Sequence, residues 1–113
     1  MLKFGAIDVG SNAVRLLITT VVETNEGPIF KKTSLVRVPI RLGEDVFTCG
    51  TISSTKCDKM EDTMKAFKLL LNIHDVVSYR ACATSAMRNA SNGEELVERI
   101  SEKADISIEI IQG

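Results

Sequence analysis

The residues best suited to chemistry lie together near the start of the chain, at Asp8, Gly10, Ser11, Asn12 and Arg15. Gly10, Ser11 and Asn12 occupy a polar turn between two apolar runs, Phe4-Gly5-Ala6-Ile7 and the β-branched stretch from Ala13 to Val22, with Asp8 ending the first strand and Arg15 beginning the return strand. Successive backbone N–H groups in such a turn can point inward and form an anion-binding concavity. Ser11 and Asn12 add neutral donors, and Arg15 adds a fixed cation with the fork geometry that suits phosphate oxygens. Asp8 then serves as the carboxylate that holds a hydrated metal ion or orients a water. The same residues also suit a plain hairpin with an aspartate at its corner, and a Gly-Ser-Asn turn taken alone does not separate the two.

The elements that must position these residues follow from apolar periodicity. Phe4 to Ile7 reads as a buried strand ending in Asp8. Val9-Gly10-Ser11-Asn12 is a tight hairpin connection in which Gly10 and Asn12 are the residues that tolerate positive φ. Ala13 to Val22 is a second strand. Glu23 to Pro28 is a turn. Ile29 to Ile40 is a third strand, with Leu35, Arg37 and Pro39 on one face and Val36, Val38 and Ile40 on the other. Arg41-Leu42-Gly43-Glu44 leaves the sheet, and Asp45 to Thr51 reads as a loop broken by Gly50.

Ser53 to Ile73 has the strongest helical pattern. Cys57, Met60, Met64, Phe67 and Leu71 recur at spacings of three and four, with Ser53 or Ser54 as N-cap. Its methionines read as core filler, and Lys56, Lys59, Lys65 and Lys68 as a solvated face. Val76 to Ala83 is a strand and Ala83 to Ala90 a small polar loop. Asn92-Gly93-Glu94-Glu95 opens a second helix as a capping box, with Leu96, Val97, Ile100 and Ala104 as its buried stripe. Ile106 to Ile111 is a last strand. The order β-β-β-α-β-α-β gives an α/β fold: a mixed sheet covered by helices, the pattern of a ribonuclease-H-like half-domain.

Composition narrows the function classes. The chain has 113 residues, enough for one domain or a piece of one, and 44% of them are hydrophobic, which argues against disorder. A net charge of −1 argues against broad binding of a nucleic acid polymer. No apolar run reaches membrane-spanning length, so no membrane partner is expected. Cys49, Cys57 and Cys82 share no metal-like spacing and read as reduced thiols of a cytoplasmic protein. The only histidine, His74, falls at a helix end, where it reads as a surface or C-cap residue and not as the partner of a catalytic cysteine.

Four stretches in order then carry a family resemblance: Ala6-Ile7-Asp8-Val9-Gly10-Ser11-Asn12-Ala13-Val14-Arg15-Leu16, Val38-Pro39-Ile40-Arg41-Leu42-Gly43-Glu44, Ala83-Thr84-Ser85-Ala86-Met87-Arg88-Asn89-Ala90-Ser91-Asn92-Gly93, and Ile108-Glu109-Ile110-Ile111-Gln112-Gly113. Together they make residues 1–113 resemble the N-terminal domain of the exopolyphosphatase/guanosine pentaphosphate phosphohydrolase family, within the actin and sugar kinase superfamily. The resemblance implies a magnesium-dependent hydrolase that removes the terminal phosphate of polyphosphate or of guanosine pentaphosphate. It implies a phosphate-binding role for Gly10, Ser11, Asn12 and Arg15 in a first loop, for Arg41 beside the cleft, and for Thr84, Ser85 and Arg88 in a third loop. Asp8 is the implied catalytic and metal-holding carboxylate.

Two positions depart from the family pattern. Asn89 stands where an acidic residue is more usual, and Ala13 replaces a small hydroxyl residue. The family pattern also continues past Gly113, with the general base, a second glycine-rich phosphate loop and a second domain. The chain therefore reads as a truncated domain with half of a cleft and little or no turnover of its own. The alternative is a module of the same fold that binds phosphate or a partner without catalysis. A homodimer is left open, as is the choice between the two substrates.

Overall fold

The computed structural model describes residues 1–112, and the side chains of all of these except Ser34 and Leu35. The expected face for Leu35 and the end of the last motif at Gly113 lie outside the described residues. Five strands form one mixed sheet in the order β3-β2-β1-β4-β5. β1 (Leu2–Val9), β2 (Val14–Thr24) and β3 (Gly27–Val38) make an antiparallel meander, while β4 (Ser78–Ala83) runs parallel to β1 and β5 (Ile108–Ile110) parallel to β4. Parallel neighbours need a crossover, and helices supply it. The expected mixed α/β sheet is therefore the one observed.

One face of the sheet is covered and the other is open. Ile7, Val9, Val14, Leu16, Ile18, Ala81, Ala83 and Ile108 alternate onto the covered face and are buried. Against them pack Cys57, Met60, Met64, Phe67 and Leu71 of α2 (Ser54–Ile73), the stripe read from sequence, and Leu96, Ile100 and Ala104 of α4 (Gly93–Ala104). Ser53 caps α2, its Oγ accepting the Lys56 N–H at 3.3 Å, and His74 is the C-cap. The open face carries Asp8, Arg15, Arg37 and Glu109 at one end. Leu2 and Phe30 lie at the other end, beside Val21. A bulge between Ile18 and Thr19 shifts the β3 register, so that Lys32 and not Thr33 faces Thr19. The single alternation expected along β3 is thus interrupted. Below the bulge Phe30 shares a face with Val21 and is 69% exposed.

Several boundaries differ from expectation. Asp45 to Thr51 is not a loop: α1 spans Leu42–Cys49, ended by Gly50 at φ 75°. Leu42 and Val46, four residues apart, both bury, and Glu44 and Asp45 sit in the first turn, where the helix dipole favours acids. The Ala83–Ala90 loop contains the short helix α3 (Ser85–Asn89). Gly10 and Asn12 do not adopt positive φ; the connection is four residues long and is closed by the Gly10 N–H donating to the Ala13 carbonyl at 3.0 Å. Asn92 makes no side-chain cap for α4. Its amide instead pairs with both backbone groups of Ile52, accepting from the N–H at 3.0 Å and donating to the carbonyl at 2.9 Å. The lysines of α2 are not uniformly solvated either. Lys56 is only 19% exposed and ion-paired with Asp45, and Lys68 pairs with Asp105.

Candidate phosphate site

Topology brings three loops to one end of the sheet. The turn after β1 and the start of α3 after β4 leave neighbouring parallel strands at their carboxyl ends, where Val9 is level with Ala83. Val38 at the end of β3 is level with Val14, so the Arg41 segment emerges at the same end. Carboxyl ends of parallel strands are where α/β sheets place ligands.

Backbone hydrogen bonds stitch the loops together. The Arg41 N–H donates to the Asn12 carbonyl at 2.9 Å, and the Gly43 N–H to the Ser11 carbonyl at 2.8 Å. The Thr84 N–H reaches the Val9 carbonyl at 3.3 Å. Ser11 Oγ lies 3.3 Å from Ser85 Oγ, either of which can donate. Gly43 suits this closeness: a Cβ there would stand 3.0 Å from the Ser11 Cβ and 3.1 Å from the Phe47 ring, so that those side chains would have to give by a few tenths of an ångström. Among the described residues, the N–H groups of Ser11 and Asn12 donate to no protein acceptor. They remain available to an anion beside the paired hydroxyls.

Arg41 has φ 62° and ψ 52°, a left-handed conformation that is uncommon for a residue with a side chain and costs of order 1–3 kcal/mol. Its side chain is 67% exposed and stands 3.9 Å from the Glu44 carboxylate, too loose a pairing to hold it. The Arg41 carbonyl accepts from the Glu44 N–H at 3.2 Å and from Lys56 Nζ at 2.8 Å. Lys56 Nζ in turn donates to Asp45 Oδ1 at 2.9 Å, and Asp45 Oδ2 accepts the Ser53 N–H at 2.9 Å. The Ser53 N–H and the Lys56 ammonium together hold the Asp45 carboxyl at about 2, well below the usual carboxylate value. Sequence reading missed Lys56 and Asp45. The one local signal was the i, i+4 pair Leu42 and Val46 ahead of Gly50, a single repeat too short to separate α1 from a loop.

Not every residue named from sequence converges. Ser11, Asn12, Arg41, Thr84 and Ser85 are joined through the contacts above, with Gly10 closing the first turn. Asp8 and Arg15 are exposed cross-strand neighbours on the open face. Among the described residues neither enters an ion pair. Arg15 stands directly opposite Arg37, a second exposed cation that the sequence placed on a strand face but not in a site. Like charges opposite one another are unfavourable, and an anion near them offsets that repulsion. Arg88 is directed elsewhere: its Nη1 donates to the Ile111 carbonyl at 2.9 Å, which ties α3 to the chain leaving β5. Asn89 is exposed. No group of three or more His, Cys, Asp or Glu among the described residues is arranged to hold a metal ion. No helix is long and apolar enough to cross a membrane, among the same residues.

Comparison with known proteins matches this arrangement to one family. The Ppx/GppA phosphatase family matches residues 20–113. Exopolyphosphatase 1 of Mycobacterium tuberculosis is 30% identical over 112 residues, which is 99% of this chain and 32% of the relative. The crystal structure of an Aquifex aeolicus Ppx/GppA family member superposes with a TM-score of 0.90 at 27% identity, covering 98% of this chain and 35% of that one. An exopolyphosphatase from Cytophaga hutchinsonii superposes at 0.87 and 36% identity, over 98% of this chain and 34% of that one. The chain thus spans about a third of the length of the relatives it matches. With a family match over residues 20–113 and a superposition that covers nearly the whole chain, the chain belongs to the Ppx/GppA phosphatase family.

Proposed function

We propose that this chain forms one wall of the active-site cleft of a hydrolase acting on terminal phosphoanhydrides, of polyphosphate or of guanosine pentaphosphate, and that the 113 residues alone do not turn over. The observation that carries the reading is the convergence of three loops on the Ser11–Ser85 hydroxyl pair. Phosphoryl transfer asks a protein chiefly for positioning and for charge stabilisation on the phosphate oxygens. The free N–H groups of Ser11 and Asn12 and the two serine hydroxyls supply neutral donors at fixed positions. Arg41 extends into solvent beside them, and Arg15 with Arg37 adds positive charge across the sheet end. Thr84 orders the third loop through its backbone, its N–H on Val9 and its carbonyl accepting from Arg88.

Magnesium fits this donor set in one form only. Asp8 offers a single exposed carboxylate, and magnesium commonly uses one or two carboxylates with waters and substrate phosphates. When bound there, the ion supplies positive charge against the phosphate oxygens. In this reading the general base is expected outside residues 1–113: among the described residues the carboxylates beside the Arg41 segment are Glu44, which faces Arg41, and Asp45, which is held by Lys56 and the Ser53 N–H. Arg88 acts in this reading by orienting the segment after β5 and not by touching phosphate. The partner-binding alternative has no comparable support among the loops. Phosphate release from polyphosphate and from guanosine pentaphosphate, with magnesium, tests the proposal on the full-length protein and on residues 1–113. Activity of the full-length protein and silence of the shorter chain are expected. A full-length protein silent on both substrates would refute the hydrolase reading.

A further inference from the structure

We infer that Lys56, held by Asp45, is a positioning residue that locks Arg41 in its left-handed backbone conformation and thereby fixes where the Arg41 guanidinium stands. The inference rests on the reading of Arg41 as a phosphate-facing residue. Arg41 has no glycine-like freedom, yet it sits at φ 62° as the residue before α1, with no side-chain cap of its own. Three bonds impose the conformation from outside. Its N–H is taken by Asn12, its carbonyl by the Glu44 N–H, and the same carbonyl by Lys56 Nζ at 2.8 Å. The Glu44 bond is local, whereas the Asn12 and Lys56 bonds reach in from other parts of the chain, and of those two only Lys56, on α2, brings a charged side chain. The Lys56 ammonium is kept in place by Asp45 at 2.9 Å, and Asp45 by the Ser53 N–H. Both side chains are about four-fifths screened, at 19% and 20% exposure, whereas Lys65 on the same helix is 48% exposed. A charge-assisted bond to a carbonyl is stronger than a neutral one, and stronger still where water is excluded. A mobile arginine loses rate when its anchor shifts, because productive geometry tolerates little displacement.

The test uses the full-length protein with Lys56→Met, Lys56→Arg, Arg41→Ala and the Lys56→Met/Arg41→Ala pair. Lys56→Met is expected to lower kcat/KM roughly tenfold in the wild-type background and to have no further effect once Arg41 is gone, with Lys56→Arg restoring most of the loss. A merely structural staple would instead lower stability equally in both backgrounds and leave the kinetic effect additive, which would overturn the inference. Amide hydrogen exchange gives a readout that does not depend on activity. Residues 41–44 are expected to exchange at least about tenfold faster in Lys56→Met while the buried turns of α2 stay protected. Unchanged exchange at 41–44 would overturn the positioning role even if the protein proved to be no phosphatase. Faster exchange there with no phosphatase activity in the wild type would uphold the anchor and sink the proposed function alone.

Discussion

Ser11 Oγ and Ser85 Oγ stand 3.3 Å apart although 74 positions separate them in the chain. Each hydroxyl is a neutral donor, worth about 0.5–1.5 kcal/mol to a bound phosphate oxygen. Ser11→Ala or Ser85→Ala is therefore expected to weaken substrate binding by roughly three- to tenfold with little change in folding stability, measured as KM and Tm on the full-length protein. Asp45 gives a prediction in pH. Its folded carboxyl titrates at about 2 against an ordinary value of 3.8, held by the Ser53 N–H and Lys56. Because the folded value is the lower one, the associated stability is present above about pH 4 and is lost as the pH falls toward 2. Glu61 behaves alike, lowered from 4.5 to about 2 by Lys65 and then Arg99. Urea midpoints measured between pH 5 and pH 2 are expected to fall, and to fall less steeply in Asp45→Asn. An equal slope in that variant would remove Asp45 from the account.

At the scale of elements, the long periodic segments were legible and the short ones were not. The α2 stripe repeats over four turns, so its signal outweighs noise, and all five residues bury as read. α1 has eight residues and α3 five, too few for a period to stand out. The bond from the Gly43 N–H to the Ser11 carbonyl, which ties α1 to the first turn, is encoded by no local pattern. Asn92 misled for the same reason. Its sequence context suits a cap, but the backbone N–H and carbonyl of Ile52, 40 positions away, take both ends of its amide. The bulge at Ile18 and Thr19 likewise leaves no local mark. The candidate site was legible as residue types, because Ser11, Arg41 and Ser85 lie in recognisable stretches. What was not legible was the support beneath them, Lys56 with Asp45, or the diversion of Arg88 to Ile111. Packing at this scale is testable through Gly93, where an added Cβ would stand 2.1 Å from the Met87 carbonyl oxygen. Gly93→Ala is expected to destabilise the fold by about 1–3 kcal/mol, since a backbone atom and not a flexible side chain must yield. Denaturant unfolding measures it.

Across the whole molecule, the helices cover one face of the sheet and the candidate phosphate loops gather at one end of it. The body is elongated, 54 × 26 × 20 Å, with the β2–β3 hairpin extending beyond the start of β1. The two regions carry different burdens. Leu16, fully buried at the centre of the covered face, is expected to cost about 2–5 kcal/mol as Leu16→Ala. Phe30, on the open face, is expected to change stability by less than about 0.5 kcal/mol as Phe30→Ser. The same contrast applies to function, since Phe30 and the hairpin tip lie at the end of the sheet opposite the three loops.

The most direct measurement of the central claim is phosphate release from polyphosphate by the full-length protein, compared among wild type, Arg41→Ala and Phe30→Ser. The account predicts a large fall in kcat/KM for Arg41→Ala, of order 10–100-fold, and wild-type kinetics for Phe30→Ser. Equal kinetics for Arg41→Ala and wild type, in an active enzyme, would contradict the placement of the phosphate cleft at these three loops.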